Sequence, residues 1–209
     1  MTTNIRVLLA DDHSLVRKGF RRLLDDEAGI EVVGEASNGV EAVELARTLR
    51  PDVIVMDMSM PGLNGNQATI EILKFLPSVG VVILSMYEEA NYVRNAMKAG
   101  ARGYLLKNAS EVDLASAVKN VARGKKVIDA KLQIPAEFPD EGEPVLTPRE
   151  RQILQLIAEA KSTREIATLL DLSVNTVAVH RANIMERLGV HKTAELVLYA
   201  VRSGIAQLP

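Results

Sequence analysis

From Ile5 to Gly124 the chain alternates short apolar runs with longer stretches of helical spacing. "IRVLLADD", "IEVVGEA", "PDVIVMD", "VGVVILS" and "ARGYLLK" read as strands. The stretches after them read as helices. In "SLVRKGFRRLLDDE" the side chains of Leu15, Phe20, Leu23 and Leu24 share one face, and in "NGVEAVELARTLR" Val40, Val43, Leu45 and Ala46 point inward. "NQATIEILKFL" and "EEANYVRNAMKAG" follow, the latter closed by Gly100. "SEVDLASAVKNVARG" is capped by Ser110 and ended by Gly124. Continuous apolar strands between amphipathic helices predict an α/β domain: a doubly wound, five-stranded parallel sheet covered on both faces, with right-handed crossovers.

In such a sheet ligands bind beyond the carboxyl ends of the strands. Those ends carry Asp11 and Asp12 after the first strand, Asp57 after the third, Ser85 after the fourth and Lys107 after the fifth. A single acid at a strand end is usually a turn residue; their joint occurrence on one rim is not. Converging carboxylates repel unless a cation lies between them. Oxygen-only ligands, with no His or Cys, suit Mg2+, which accepts few carboxylates and keeps several waters. A metal on one side, the Lys107 ammonium on another and the Ser85 hydroxyl on a third make a phosphoryl site, with Asp57 the acid placed as nucleophile. The first turn, "ADDHSLV", has no glycine, so it forms no nucleotide-binding loop. His13 reads simply as a residue at the helix entry.

After Gly124 the pattern fades. "KKVIDAKLQIPAEFPDEGEPV" holds Pro135, Pro139 and Pro144 among acids, which predicts an extended linker over 125–144, with Val127 and Ile128 as a short apolar patch able to rest on the first domain. Residues 145–209 turn helical. "TPRERQILQLIAEA" opens with a capping box, Thr147 to Glu150, with Pro148 at its first position. "STREIATLL", "VNTVAVHRANIMERLG" and "KTAELVLYAVRSG" complete a small all-α, four-helix domain, and the second and third of its helices, separated by a tight turn, form a helix-turn-helix pattern.

Composition sets the class. Hydrophobic residues are 47% and charged residues 25%, ordinary for a globular protein. There is no cysteine, hence no disulfide or thiolate chemistry. No apolar run is long enough to span a membrane and the first residues do not form a signal peptide, so a cytoplasmic protein without a membrane partner is expected. Residues 146–209 carry eight Lys/Arg against six Asp/Glu, a mild positive excess that fits an approach to phosphate.

Two resemblances cover nearly the whole chain. Residues 4–124, through "ADDH", "VIVMDMSMPGLNG", "VVILS" and "AGARGYLLK", resemble the receiver domain of bacterial two-component response regulators, a flavodoxin-like fold. The resemblance implies that Asp57 accepts phosphate from the phosphohistidine of a sensor histidine kinase. It implies Mg2+ held by Asp12, Asp57 and the backbone carbonyl of Ser59, with Asp11 assisting. It makes Ser85 and Tyr104 a switch pair and Lys107 the phosphate-contacting cation. One departure is Asn108, where many receivers have proline. Residues 145–209, through "LTPRERQIL", "STREIATLL", "SVNTVAVHR" and "RLGVHKTAELV", resemble the NarL/LuxR-type DNA-binding domain. The protein expected is a transcription regulator that dimerises and binds promoter DNA when phosphorylated. It is not an enzyme beyond self-phosphorylation from a donor and slow autodephosphorylation. A receiver acting by protein contact without phosphorylation, and a doubly wound phosphoryl-transfer enzyme, are the rival readings. The first is disfavoured by the intact acid–serine–lysine set, the second by the missing glycine loop and base.

On a helical wheel Val177, Ile184 and Leu188 face inward in the third helix of this domain, with His180 near their edge as a packed, hydrogen-bonded side chain. Asn175, Thr176, Ala178, Val179, Ala182 and Asn183 face outward, where the family presents side chains to base edges in the major groove. Arg181 lies partly inward, placed for an internal salt bridge. Lys161, Ser162, Thr163, Arg164 and Lys192 are the expected phosphate contacts. In the last helix Val197 and Val201 are read as spare apolar surface for a dimer partner.

Overall fold

A computed structural model describes residues 4–108, 111–132 and 146–206. The chain divides into two compact units, 1–135 and 136–209.

The first unit has strands β1 (Ile5–Ala10), β2 (Ile30–Ala36), β3 (Val53–Asp57), β4 (Gly80–Ser85), β5 (Gly103–Leu106) and β6 (Val127–Ile128), all parallel in the order β2-β1-β3-β4-β5-β6. Helices α1 (Ser14–Asp25), α2 (Gly39–Leu49), α3 (Gly65–Phe75), α4 (Ala90–Lys98) and α5 (Glu111–Ala122) cover it. Successive strand residues alternate between two cores. Leu8, Ile54, Met56, Ile83 and Tyr104 face one; Val7, Leu9, Val55, Val82 and Leu105 face the other. Both faces are covered, which is why the strands read as unbroken apolar runs.

The sheet has six strands rather than five. Val127 and Ile128 pair with Gly103 and Tyr104, so the sheet reaches into the stretch read as linker. Asp129 fixes that return: its backbone N–H donates to Tyr104 O at 2.9 Å and its carboxylate accepts from Leu106 N at 3.2 Å. The remaining linker, from 133 to 144, and the Ser110 cap lie outside the described residues. Two inward positions are corrected. Leu15 is 82% exposed and Val40 51% exposed. Ala42 and Ala46 supply the buried stripe of α2 instead.

The second unit holds α6 (Pro148–Ala158), α7 (Thr163–Leu169), α8 (Val174–Leu188) and α9 (Thr193–Arg202) around a core of Ile153, Leu154, Ile166, Val177, Ile184 and Leu196. Thr147 and Ser162 each form a full capping box with the glutamate three residues on. Ser173 caps α8, and Gly189 ends it with a φ of 64°, a conformation costly for residues bearing a Cβ. No helix among the described residues is long and apolar enough to cross a membrane.

Candidate functional site

The strand order reverses direction between β1 and β3, and the crevice at that point collects the polar side chains. Asp57 closes β3 and is 1% exposed; Asp11 follows β1 and is 3% exposed. Lys107 follows β5, and its ammonium lies 2.9 Å from Asp57 Oδ2 and 2.9 Å from Asp11 Oδ2. One cation therefore faces two buried acids, with Asp12 exposed at the mouth. Burial pushes the Asp57 carboxyl up to about 6, Asp11 adding to the rise and Lys107 opposing it. Burial alone would lower the Lys107 ammonium, but the carboxylates of Asp57 and Asp11 outweigh it and leave it raised. Ser59 N donates to Asp57 Oδ1 at 3.2 Å, which turns the 57–59 backbone around the acid.

Ligand atoms of Asp11, Asp12, His13 and Asp57 lie within 4.8 Å of one another, close enough to share one metal ion. Asp11 Oδ1 is spent on the backbone N–H of His13 at 2.8 Å. Asp11 Oδ2 and Asp57 Oδ2 face Lys107. Three acids against one ammonium leave a net negative pocket that a cation neutralises.

Ser85, 1% exposed at the end of β4, accepts from Tyr87 N at 3.1 Å and lies 3.7 Å from Met58 Sδ. The Tyr104 ring is fully buried, and its hydroxyl donates to Tyr87 O at 2.8 Å. Burial pushes the phenol above its ordinary range, so it stays a donor.

In the second unit α7, a tight turn and α8 form the helix-turn-helix. Asn175, Val179, Ala182 and Asn183 are exposed along α8; Thr176 is half-buried, its hydroxyl 2.7 Å from the Ser173 hydroxyl. Lys161, Ser162 and Arg164 are exposed at the start of α7, with Thr163 half-buried beside them, and Lys192 is exposed before α9.

A family model for the response regulator receiver domain matches residues 7–119, and one for bacterial regulatory proteins of the luxR family matches residues 144–200. The chain belongs to the response regulators of the luxR family. The oxygen regulatory protein NreC of Staphylococcus carnosus is 39% identical over 96% of this chain and 99% of its own length. The response regulator UvrY of Escherichia coli is 39% identical over 96% of this chain and 95% of its own. Among solved structures, RcsB of Salmonella enterica serovar Typhimurium bound to promoter rprA with the phosphomimetic BeF3− is 26% identical over 94% of this chain and 98% of its own, with a TM-score of 0.66. A receiver and a luxR-type DNA-binding domain in one chain make this a transcription regulator.

Within this response regulator the side chains of Asp11, Asp57 and Lys107 meet as the strand ends placed them, and Ser85 joins them through its backbone carbonyl, which accepts from Lys107 N at 2.7 Å. His13 stands at the helix entry as the N-cap residue of α1, with its Nδ1 2.8 Å from Asp12 Oδ1. Three readings shift. His180 is half-buried but its Nδ1 finds no hydrogen-bond partner; the nearby acid, Glu150, is already held by Thr147 and by Arg187 at 3.4 Å. Arg181 reaches Thr193 Oγ1 at 3.3 Å instead of an acid. On α9, Val197 is half-buried against the domain's own core and Val201 is half-buried too; the outward apolar side chain is Leu198, 52% exposed. Leu198 lies four positions after Ala194 on the face of Val197 and Val201, a spacing that could have singled it out.

Proposed function

We propose that Asp57 is the phospho-acceptor of this response regulator and that its phosphorylation promotes dimerisation and promoter binding. The observation that carries the reading is the single ammonium of Lys107 held 2.9 Å from two buried carboxylates. In the transfer, the P–N bond of a kinase phosphohistidine breaks, a P–O bond to Asp57 forms, and the imidazole leaves with the electron pair. Lys107 is placed to follow the incoming phosphoryl oxygens, and Ser85, at the neighbouring strand end, to donate to another. Asp11, Asp12, Asp57 and the carbonyl of Ser59 would hold Mg2+, which when bound neutralises the acids and the phosphoryl charge. The crowded negative pocket fits that ion.

The outer row of α8 suits the major groove. Asn175 and Asn183 carry amides able to bond adenine, and Val179, 59% exposed, suits a thymine methyl. Lys161, Ser162, Thr163, Arg164 and Lys192 supply the phosphate contacts and the α9 face around Val197, Leu198 and Val201 the dimer contact. The test is incubation with acetyl phosphate and Mg2+. The intact chain gains one acid-labile phosphate, Asp57→Asn gains none, and chelation of the metal stops uptake. Uptake by Asp57→Asn at the normal rate would refute the assignment. A promoter fragment in a gel-shift titration at fixed salt then binds more tightly after phosphorylation.

A further inference from the structure

The hydroxyls of Ser85 and Tyr104 interact with each other, and both side chains also hold a third residue, Tyr87. The backbone N–H of Tyr87 donates to Ser85 Oγ at 3.1 Å, and its carbonyl accepts from Tyr104 Oη at 2.8 Å. Both polar groups of one residue are therefore held by the two switch side chains. The ring of that residue leaves the site and stacks on Tyr92 of α4, with centroids 4.4 Å apart and planes 13° from parallel. Tyr92 is 7% exposed and anchored in the core beneath α4. Tyr87 is half-buried, while its neighbours Met86, Glu88 and Glu89 are exposed, so the ring is the one large side chain of this loop turned to the protein.

We infer that Tyr87 is the positioning residue through which the Ser85–Tyr104 pair moves α4, by way of its stack on Tyr92. The inference rests on the phospho-acceptor reading of Asp57. A phosphoryl group on Asp57 that draws Ser85 Oγ to itself takes away the acceptor of Tyr87 N–H. The Tyr104 hydroxyl still holds the Tyr87 carbonyl, so the peptide pivots about that bond instead of leaving. The ring swings with it, and a stacked partner in α4 must follow or lose the stack. A stacked aromatic pair shifts an equilibrium about two- to tenfold beyond the area it buries. That bounds the effect expected from cutting the link. Nothing in the argument uses the Tyr87 hydroxyl, which separates a ring role from a hydrogen-bonding one.

The test uses the full chain, with Tyr87→Leu, Tyr87→Phe and Tyr92→Leu beside it. Each is exposed to acetyl phosphate and Mg2+. Acid-labile phosphate is counted, and hydrogen–deuterium exchange is followed over residues 90–98 with and without the donor. The intact chain takes up phosphate and changes its α4 exchange. Tyr87→Phe does the same. Tyr87→Leu takes up phosphate, but its α4 change shrinks about two- to tenfold. Tyr92→Leu cuts the stack from the helix side without altering the loop, and shows the same loss even if Tyr87→Leu does not fold. An α4 change of normal size in a phosphorylated leucine variant overturns the inference alone. An intact chain that takes up no phosphate overturns the acceptor reading, and the inference with it.

Discussion

Gly65 tests how rigidly the fold holds Asp57, the proposed acceptor. It is the first residue of α3, and its N–H donates to Met58 O at 3.0 Å, so the helix begins directly behind Asp57. A Cβ added there would stand 2.3 Å from the main-chain oxygen of Asp57 and 3.1 Å from both its carbonyl carbon and Met56 Cγ. Comfortable contacts begin near 3.5 Å, so roughly 1 Å must open between α3 and β3. The obstacle is backbone, which cannot rotate aside as a side chain does. On the strand side Asp57 is paired in register with Leu84, and Met58 N donates to Leu84 O at 2.9 Å. Overpacking of this kind costs about 1–3 kcal/mol. Helix propensity works the other way, but alanine gains at most about 1 kcal/mol over glycine, and less at a first position. Gly65→Ala is therefore net destabilising by about 1–2 kcal/mol, read as a lower urea midpoint with unchanged slope. Catalysis suffers more, since a 1 Å misplacement of a reacting group costs up to about a hundredfold. Phosphate uptake from acetyl phosphate should slow at least about tenfold. Gly29→Ala is the control: φ is +83° with nothing within 4 Å, at the opposite end of the sheet from the rim. It should lose stability through strain, yet phosphorylate normally. Gly65→Ala phosphorylating at the rate of the intact chain would refute the claim that α3 fixes Asp57.

Ser85→Ala leaves phosphate uptake largely intact but weakens phosphate-dependent dimerisation, measured by sedimentation; loss of uptake with coupling intact would contradict the switch role. Glu150→Gln weakens the α6 capping box and the Arg187 contact, at a cost of about 0.5–2 kcal/mol by analogy with other caps. Burial works to raise the Glu150 pKa, yet the Thr147 hydrogen bonds and the Arg187 charge leave it lowered. Its stabilisation is thus present above the unfolded carboxyl range and lost as pH falls through the folded value, so parallel urea titrations of the intact chain and its Gln variant should converge in acid. Asn175→Ala should cost about 1–3 kcal/mol on a specific operator if its amide reads a base. Lys161→Ala should weaken all DNA alike and reduce the salt slope by about one.

The parallel sheet was legible because its strands are buried on both faces: Val53 to Met56 are all 0–1% exposed, and such a run tolerates no polar interruption. Strand β6 was not, because two residues carry no periodicity. What holds them is Asp129, whose carboxylate bonds Leu106 N from 23 positions away. Val40 was misplaced because the buried stripe of α2 runs through Gly39, Ala42 and Ala46, small residues that a wheel built on the larger apolar side chains passes over.

The site divides along the same line. Asp11, Asp57, Ser85 and Lys107 were readable because sheet topology alone brings strand ends together; no side-chain detail is needed to know that they share a rim. The features that were not readable depend on rotamers and loop backbone. His13 turns toward Asp12, Tyr87 offers both of its backbone polar groups to side chains on two strands, and Val197 leans into its own core while Leu198 points out. The chemistry thus sits on elements whose position is fixed by burial, and the coupling sits at one loop residue whose C=O and N–H are each held by a single hydrogen bond, of 2.8 and 3.1 Å. That division has a physical basis. A nucleophile must not move relative to its cation, so it belongs on a strand paired on both sides. A switch must exchange one hydrogen bond for another at small net cost, so it belongs where each bond is replaceable and the free-energy difference between states is only a few kcal/mol.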